Sequence, residues 1–143
     1  MNIEIVTKAD GKALAELRAL AMKESLEAIG RFDPIRVRER FLLNFSPDKT
    51  KKIYVSNQLV AFFVLDERDD HYYLDHLYVI PSAQGQKIGS SIMELVKTQC
   101  FSKGKSIKLG ALKGSRSNDF YISHGFVKTH EEGYDNYYEL KYS

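Results

Sequence analysis

The sequence predicts an α/β protein whose central sheet is mixed and mostly antiparallel, with one parallel β-α-β unit at its core. Apolar alternation and helical periodicity give the element order β α α β β β α β α β β along 143 residues. The strand–helix–strand segment at residues 71–112 is a crossover, which makes its two strands parallel, whereas short turns elsewhere predict hairpins. No repeat, low-complexity tract or linker interrupts residues 1–143, so we expect a single domain.

The first half of the sequence predicts a strand, two helices and a hairpin. Residues 2–7 alternate as a strand, and Asp10 is placed to cap a helix. The apolar residues of that helix recur at helical spacing: Leu14, Leu17, Leu20, Ala21, Leu26 and Ile29. Asp33-Pro34 starts a second helix, and its expected inward side chains are Phe41, Leu42 and Phe45. Residues 51–56 and 59–67, split by Asn57-Gln58, predict a hairpin.

The second half alternates strands and helices. A charged turn at residues 66–70 precedes a strand at 71–80, and a helix then runs to about Ser102. The strand at 106–112 is followed by a short helix that Gly125 stops, and two closing strands complete the chain.

Composition excludes several classes of protein. A net charge of +2 is too mild to indicate nucleic-acid binding, although it suits a small anionic ligand. No apolar run approaches the roughly 18 residues of a membrane span, and the first residues show no export signal. Cys100, the one cysteine, is expected to be a buried core thiol, and no histidine has metal-ligand spacing. We therefore expect a cytoplasmic protein with no metal and no membrane or nucleic-acid partner.

The stretch SAQGQKIGSSI, residues 82–92, lies between a predicted strand and a predicted helix. Its small and polar residues fit a plain turn. They also fit an anion cradle, because the first N–H groups of a helix lack intrahelical partners and carry the positive end of its dipole.

Two motifs resemble signatures of the GNAT (Gcn5-related) N-acetyltransferase superfamily. Residues 77–96 resemble its acetyl-CoA-binding segment, with a Gln/Arg-x-x-Gly-x-Gly/Ala pattern in which Gln84 and Gly89 fill the outer positions. Lys87 stands where the middle glycine is usual, and we expect it to have an ordinary negative φ. DFYISHGF, residues 119–126, resembles the second signature, Phe-Tyr-x-x-x-Gly-Phe. The two motifs in this order favour the anion cradle.

This resemblance implies acetyl-CoA as cosubstrate. The expected contact residues lie on the strand end, the loop, the helix start and the second motif: Leu77, Tyr78, Val79, Gln84, Gly85, Gln86, Lys87, Ile88, Gly89, Ser90, Asn118 and Tyr121. Relatives often carry an asparagine seven residues before the motif tyrosine. That position is Gly114 here, and Asn118 is the candidate substitute.

The resemblance also implies catalytic residues. Tyr121 matches the tyrosine that protonates the leaving thiolate, although it could instead be a core aromatic residue. The general base is expected to be Asp75, with His76 as the alternative, since adjacent strand residues face opposite sides. Either residue could also have only a hydrogen-bonding role in the strand.

The expected activity is acetyl transfer to a primary amine of a small molecule or peptide by direct attack in a ternary complex. The alternative is a CoA-binding sensor without turnover. The first two helices and the acidic, aromatic last hairpin are expected to select the acceptor, which the sequence leaves open, and a homodimer is possible.

Overall fold

A computed structural model describes all residues, Met1–Ser143. The strands are β1 (Asn2–Ile5), β2 (Thr50–Val55), β3 (Gln58–Glu67), β4 (His71–Val79), β5 (Ser106–Leu112), β6 (Val127–Glu132) and β7 (Asp135–Leu140). The helices are α1 (Gly11–Ala28), α2 (Pro34–Leu43), α3 (Ile88–Ser102) and α4 (Arg116–Ser123). The predicted element order is confirmed.

The seven strands form one sheet in the order β1-β2-β3-β4-β5-β7-β6. β4 pairs with β5 in parallel, and the β1–β2, β2–β3, β5–β7 and β6–β7 pairs are antiparallel. The crossover through α3 accounts for the parallel pair, because a strand that returns in the same direction needs a long connection. The predicted mixed, mostly antiparallel sheet is therefore confirmed.

Contacts divide the chain into two compact units. The first unit contains Met1–Val64 and His76–Gly89, and the second contains Leu65–Asp75 and Ser90–Ser143. In the first unit the helices α1 and α2 bury apolar side chains against strand residues. The buried residues of this cluster are Val6, Leu14, Ala15, Leu17, Phe41, Phe62 and Val64.

The expectation that Leu42 faces inward is wrong. Val37 and Phe41, four residues apart on one side of α2, are the buried residues of this helix. Leu42 lies about 100° further around the helix and is 42% exposed. Leu20 of α1, placed on the apolar face by its spacing, is likewise 55% exposed.

The two predicted N-caps differ in the structure. Asp33 caps α2 as expected, because its Oδ1 accepts hydrogen bonds of 3.1 Å from the amides of Ile35 and Arg36. Asp10 makes no such bond to α1, since it belongs to a short 3-10 turn and already has helical backbone angles. Its carboxylate instead accepts from the Thr7 amide at 2.8 Å and pairs with Lys52 at 3.0 Å.

The β2–β3 turn lies one residue earlier than expected. Val55 pairs with Gln58, so Ser56 and Asn57 form the two-residue loop. Both have positive φ, 51° and 64°, which is the geometry of the tight hairpin turn that matches strand twist.

The second unit buries one side of α3 together with β5. The buried residues include Ile92, Met93, Val96 and Cys100 of the helix and Ile107, Leu109 and Ala111 of the strand. Burial raises the pKa of the Cys100 thiol to about 12, which keeps it protonated and unreactive. The expected core role of this thiol is confirmed. None of the helices combines the length and hydropathy that a membrane crossing requires.

Candidate functional site

The loop between β4 and α3 follows an irregular path, and its residues from Gln84 to Lys87 are exposed. After Val79 comes a short 3-10 turn, Pro81–Ala83, and α3 begins at Ile88. Gly85 has φ +84°, a conformation that costs glycine little. A ligand can therefore reach this loop just before the start of α3.

Gln84 connects this loop to the preceding strand by a hydrogen bond. Its Nε2 donates a hydrogen bond of 3.1 Å to the carbonyl oxygen of Val79, at the end of β4. The first position of the motif therefore holds the loop against the strand from which it departs.

The expectation for Lys87 is wrong, because its φ is +62°. A negative φ would require Lys87 to be part of the helix. The helix begins one residue later, at Ile88, so Lys87 lies in the loop just before the first turn and has a left-handed backbone conformation. L-residues pay about 1–2 kcal/mol for this conformation. This cost explains why a glycine is usual at the position in the resembling motif.

Helix α3 starts with Ile88, Gly89 and Ser90, whose amides are among the groups that lack intrahelical partners. Ile88 is buried and anchors the turn, while Gly89 is half-buried and carries no side chain. The arrangement can donate backbone hydrogen bonds to an anion and adds the favourable helix dipole.

The end of β4 presents aromatic side chains to the core of the first unit. The His76 ring lies 5.6 Å from Phe41 and 5.5 Å from Tyr78 between centroids, and its Nδ1 is 3.4 Å from the Tyr78 hydroxyl. The guanidinium of Arg18, on α1, lies 5.9 Å from the Tyr78 ring centre. This packing restrains the His76 ring.

Asp75 differs from His76 in its environment. Its side chain is exposed, and its charge contributes to the raised pKa of Tyr73, of which burial is the main cause. An exposed carboxylate can hold water, which a base acting through water requires.

The parallel ladder between β4 and β5 is short. It joins His71–Tyr73 to Ser106–Lys108. The main-chain groups of Leu77 and Val79 lie outside it, and one Val79 group, the carbonyl, accepts from Gln84.

Tyr121 lies on α4 in the second unit and is 6% exposed. Its ring meets Phe120 at 5.4 Å and Phe126 at 5.7 Å, both edge-on. Gly125, with φ +95°, ends the helix and lets the Phe126 amide donate to the Tyr121 carbonyl at 3.1 Å. The second motif therefore orients one tyrosine ring between two phenylalanines.

Asn118 is engaged at both ends of its amide. Its Nδ2 donates to the Leu112 carbonyl at 2.8 Å, and its Oδ1 accepts from Tyr138 at 2.8 Å and from Asn136 at 3.0 Å. These bonds tie α4 to β5 and β7. Gly114 has φ +81°, which favours glycine over the asparagine of the resembling pattern.

Sequence reasoning missed a polar contact between α3 and α4. Ser90 Oγ lies 3.1 Å from Nε2 of His124, whose Nδ1 lies 3.7 Å from Glu94 Oε1. The three residues are scattered over 35 positions, so no local pattern signals the contact.

Residues 21–140 match the family model described as the acetyltransferase (GNAT) domain. No curated protein matches the sequence.

Solved structures share the fold at low sequence identity. The PaiA N-acetyltransferase of Thermoplasma acidophilum, crystallised in complex with coenzyme A, is 19% identical with a TM-score of 0.82, over 99% of this chain and 98% of that one. PH1933 from Pyrococcus horikoshii OT3 is 22% identical with a TM-score of 0.77, over 98% and 97% of the two chains. An acetyltransferase from Thermus thermophilus is 14% identical with a TM-score of 0.77, over 97% and 95%.

Proposed function

This chain belongs to the GNAT acetyltransferase family, and we propose that it transfers the acetyl group of acetyl-CoA to a primary amine of a small molecule or peptide. The amine attacks the thioester directly in a ternary complex. The family match over residues 21–140 carries this proposal. The fold shared with a protein crystallised with coenzyme A supports the choice of cosubstrate.

In this proposal the loop from Gln84 to Lys87 and the start of α3 bind the pyrophosphate. The exposure of the loop residues, the left-handed backbone of Gly85 and Lys87, and the free amides at the start of α3 support that role. The main-chain groups of Leu77 and Val79 bind the pantetheine arm, which their place outside the β4–β5 ladder supports.

Acetyl transfer to an amine requires a neutral amine, a stabilised oxyanion and a protonated leaving thiolate. Tyr121 donates the proton to the thiolate. The ordinary pKa of a phenol is about 10 and that of a thiol is about 8.5. These two pKa values are close enough for the groups to share a proton in the transition state. The packing of Phe120 and Phe126 against the ring supports a fixed orientation for its hydroxyl.

Asp75 is the first candidate for the base that removes a proton from the amine, either directly or through water. Its exposure supports this choice, whereas the aromatic packing around His76 limits the reach of the imidazole. His76 is the alternative, because histidine has an ordinary pKa near neutrality, about 6.5.

Calorimetric titration with acetyl-CoA is the first test, and we expect a dissociation constant in the micromolar range, about −8 kcal/mol. No heat and no thermal shift would overturn the proposed cosubstrate. A panel of amines is then incubated with acetyl-CoA while free thiol is followed. Tight binding without thiol release from any amine would instead favour the sensor that lacks turnover.

A further inference from the structure

Arg18 is a half-buried arginine on α1 whose hydrogen-bonding capacity is incompletely used. Its Nη1 donates a hydrogen bond of 2.6 Å to the carbonyl oxygen of Val37, on α2. Its Nε is buried without a hydrogen-bond partner. A guanidinium offers five N–H donors in a planar fork, and a buried donor that lacks an acceptor is unfavourable.

The charge of Arg18 also lacks a carboxylate partner. Its partners are the Val37 carbonyl and the face of the Tyr78 ring, which are both uncharged. Arg38, on the neighbouring helix, shows the contrast, because Glu16 accepts from both its Nε and its Nη2. The Nε of Arg18 is covered by protein, but its Nη2 is neither bonded to a protein acceptor nor buried, so an anion there would supply the negative charge that Glu16 supplies to Arg38.

The position of Arg18 relates it to the proposed chemistry. Its guanidinium lies 5.9 Å from the ring centre of Tyr78. Tyr78 stands between Leu77 and Val79, the residues proposed above to bind the pantetheine arm. An acceptor whose amine approaches the thioester there would bring a neighbouring substituent close to Arg18. This is the face of β4 that carries His76, so the inference goes with the alternative base and not with Asp75.

We propose that Arg18 binds a carboxylate of the acceptor, so that the substrate class is amines that also carry a carboxylate. This inference rests on the proposed function, which it refines. The carboxylate belongs either to a small amino acid or to an acidic side chain beside a peptide N-terminus. Arginine suits this role because its fork matches the two oxygens of a carboxylate.

A purely structural role for Arg18 makes a different prediction. If the side chain only joins α1 to α2 through Val37, its loss would weaken activity on every acceptor alike. A carboxylate-binding role changes the ratio between acceptors with and without that group. The test therefore compares matched acceptors.

The experiment uses two acceptor pairs, each differing only in carboxylate against carboxamide. The small pair is β-alanine and β-alaninamide, and the peptide pair is a tripeptide with glutamate or glutamine after its N-terminal residue. Thiol release gives kcat and KM for the wild type, Arg18→Gln and Arg18→Lys. Arg36→Gln, which changes an exposed arginine of α2, is the matched control. Thermal unfolding establishes that each variant is folded.

We expect the wild type to favour the carboxylate member of one pair by about tenfold to a hundredfold, the scale of a charged hydrogen bond. Arg18→Gln should remove this preference mainly through KM, while the carboxamide stays within about threefold of wild type. Arg18→Lys should restore it only in part, and Arg36→Gln should keep it. The pair that responds identifies the source of the carboxylate.

Equal loss on both members of a pair, or no wild-type preference in either pair, would overturn the role of Arg18 and leave the acetyltransferase proposal standing. If none of the amines causes release of free thiol from acetyl-CoA, the result counts against the proposed function instead. In that case, calorimetric titration of the CoA-loaded protein with N-acetyl-β-alanine and its amide still decides the inference. Equal affinity for these two compounds would overturn it.

Discussion

Ser90 Oγ lies 3.1 Å from Nε2 of His124, and this contact joins the first turn of α3 to the end of α4. The ring of His124 also packs 4.7 Å from Phe120. Burial lowers the pKa of His124 below its ordinary value, and Lys97 lowers it further, while Glu94 opposes the shift. The folded protein therefore favours the neutral imidazole at this junction.

The lowered pKa of His124 predicts a pH-dependent stability. The unfolded chain binds this proton more readily, so the contribution is complete above the ordinary histidine value of about 6.5 and is lost as pH falls through the lower folded value. His124→Gln should flatten the fall in unfolding free energy as the pH drops below about 6.5. Denaturant titrations across pH measure this slope.

His130→Gln is the control, because His130 is exposed on β6. Its profile should run parallel to that of the wild type. If His124→Gln also leaves the profile unchanged, the buried imidazole does not govern acid stability.

The left-handed φ of Lys87 predicts a stabilising substitution. Lys87→Gly removes about 1–2 kcal/mol of strain and restores about 0.4–1 kcal/mol of unfolded-chain entropy, so the net gain should be about 0.5–1 kcal/mol. Gln86→Gly, one residue earlier and without positive φ, should not stabilise the protein. Urea unfolding of both variants gives the comparison, and equal effects would argue against strain at Lys87.

The proposed anion cradle, formed by the loop and the start of α3, predicts which substitutions weaken acetyl-CoA binding. Lys87→Ala should change the acetyl-CoA dissociation constant by less than about tenfold, since an exposed charge contributes about 1 kcal/mol or less. Gly89→Val should weaken binding much more, because its side chain would occupy the space where the backbone approaches the anion. Circular dichroism confirms folding before titration. A larger loss of affinity in Lys87→Ala than in Gly89→Val would mean that the loop binds acetyl-CoA through the lysine side chain.

Tyr121→Phe should lower turnover by about a hundredfold, the scale of one acid–base group, and leave acetyl-CoA affinity nearly intact. The substitution removes the hydroxyl and retains the ring that packs against Phe120 and Phe126. Steady-state kinetics with an identified amine and a parallel calorimetric titration separate the two effects. Wild-type turnover in this variant would assign Tyr121 to the core alone.

The two candidate bases can be ranked by substitution. Asp75→Asn should lower kcat/KM and alter its pH profile more than His76→Gln does, because the exposed carboxylate is the first candidate. The opposite ranking would transfer the role to the imidazole. Small and equal effects would indicate that water, or an amine that arrives neutral, replaces a protein base.

The element order and two of the helix ends were predictable because their signals are local. Asp33-Pro34 starts α2 through bonds to amides two and three residues away. The motif at residues 119–126 encodes its own helix end, since Gly125 provides the required positive φ. The run at residues 82–92 by itself fits a plain turn as well as an anion cradle, and the cradle is preferred only because the second motif, residues 119–126, follows it.

What required the tertiary structure depends on residues that are distant in sequence. The exposure of Leu42 and the left-handed φ of Lys87 follow from how each helix is placed and where it begins. Gly110 is a glycine because the Tyr137 ring of the paired strand would lie 2.9 Å from a Cβ there. The contact of Arg18 with Tyr78 joins a helix to a strand 60 residues later. Periodicity predicts which side of an element is apolar, but only packing decides which side chains meet, because a contact depends on the positions of both elements.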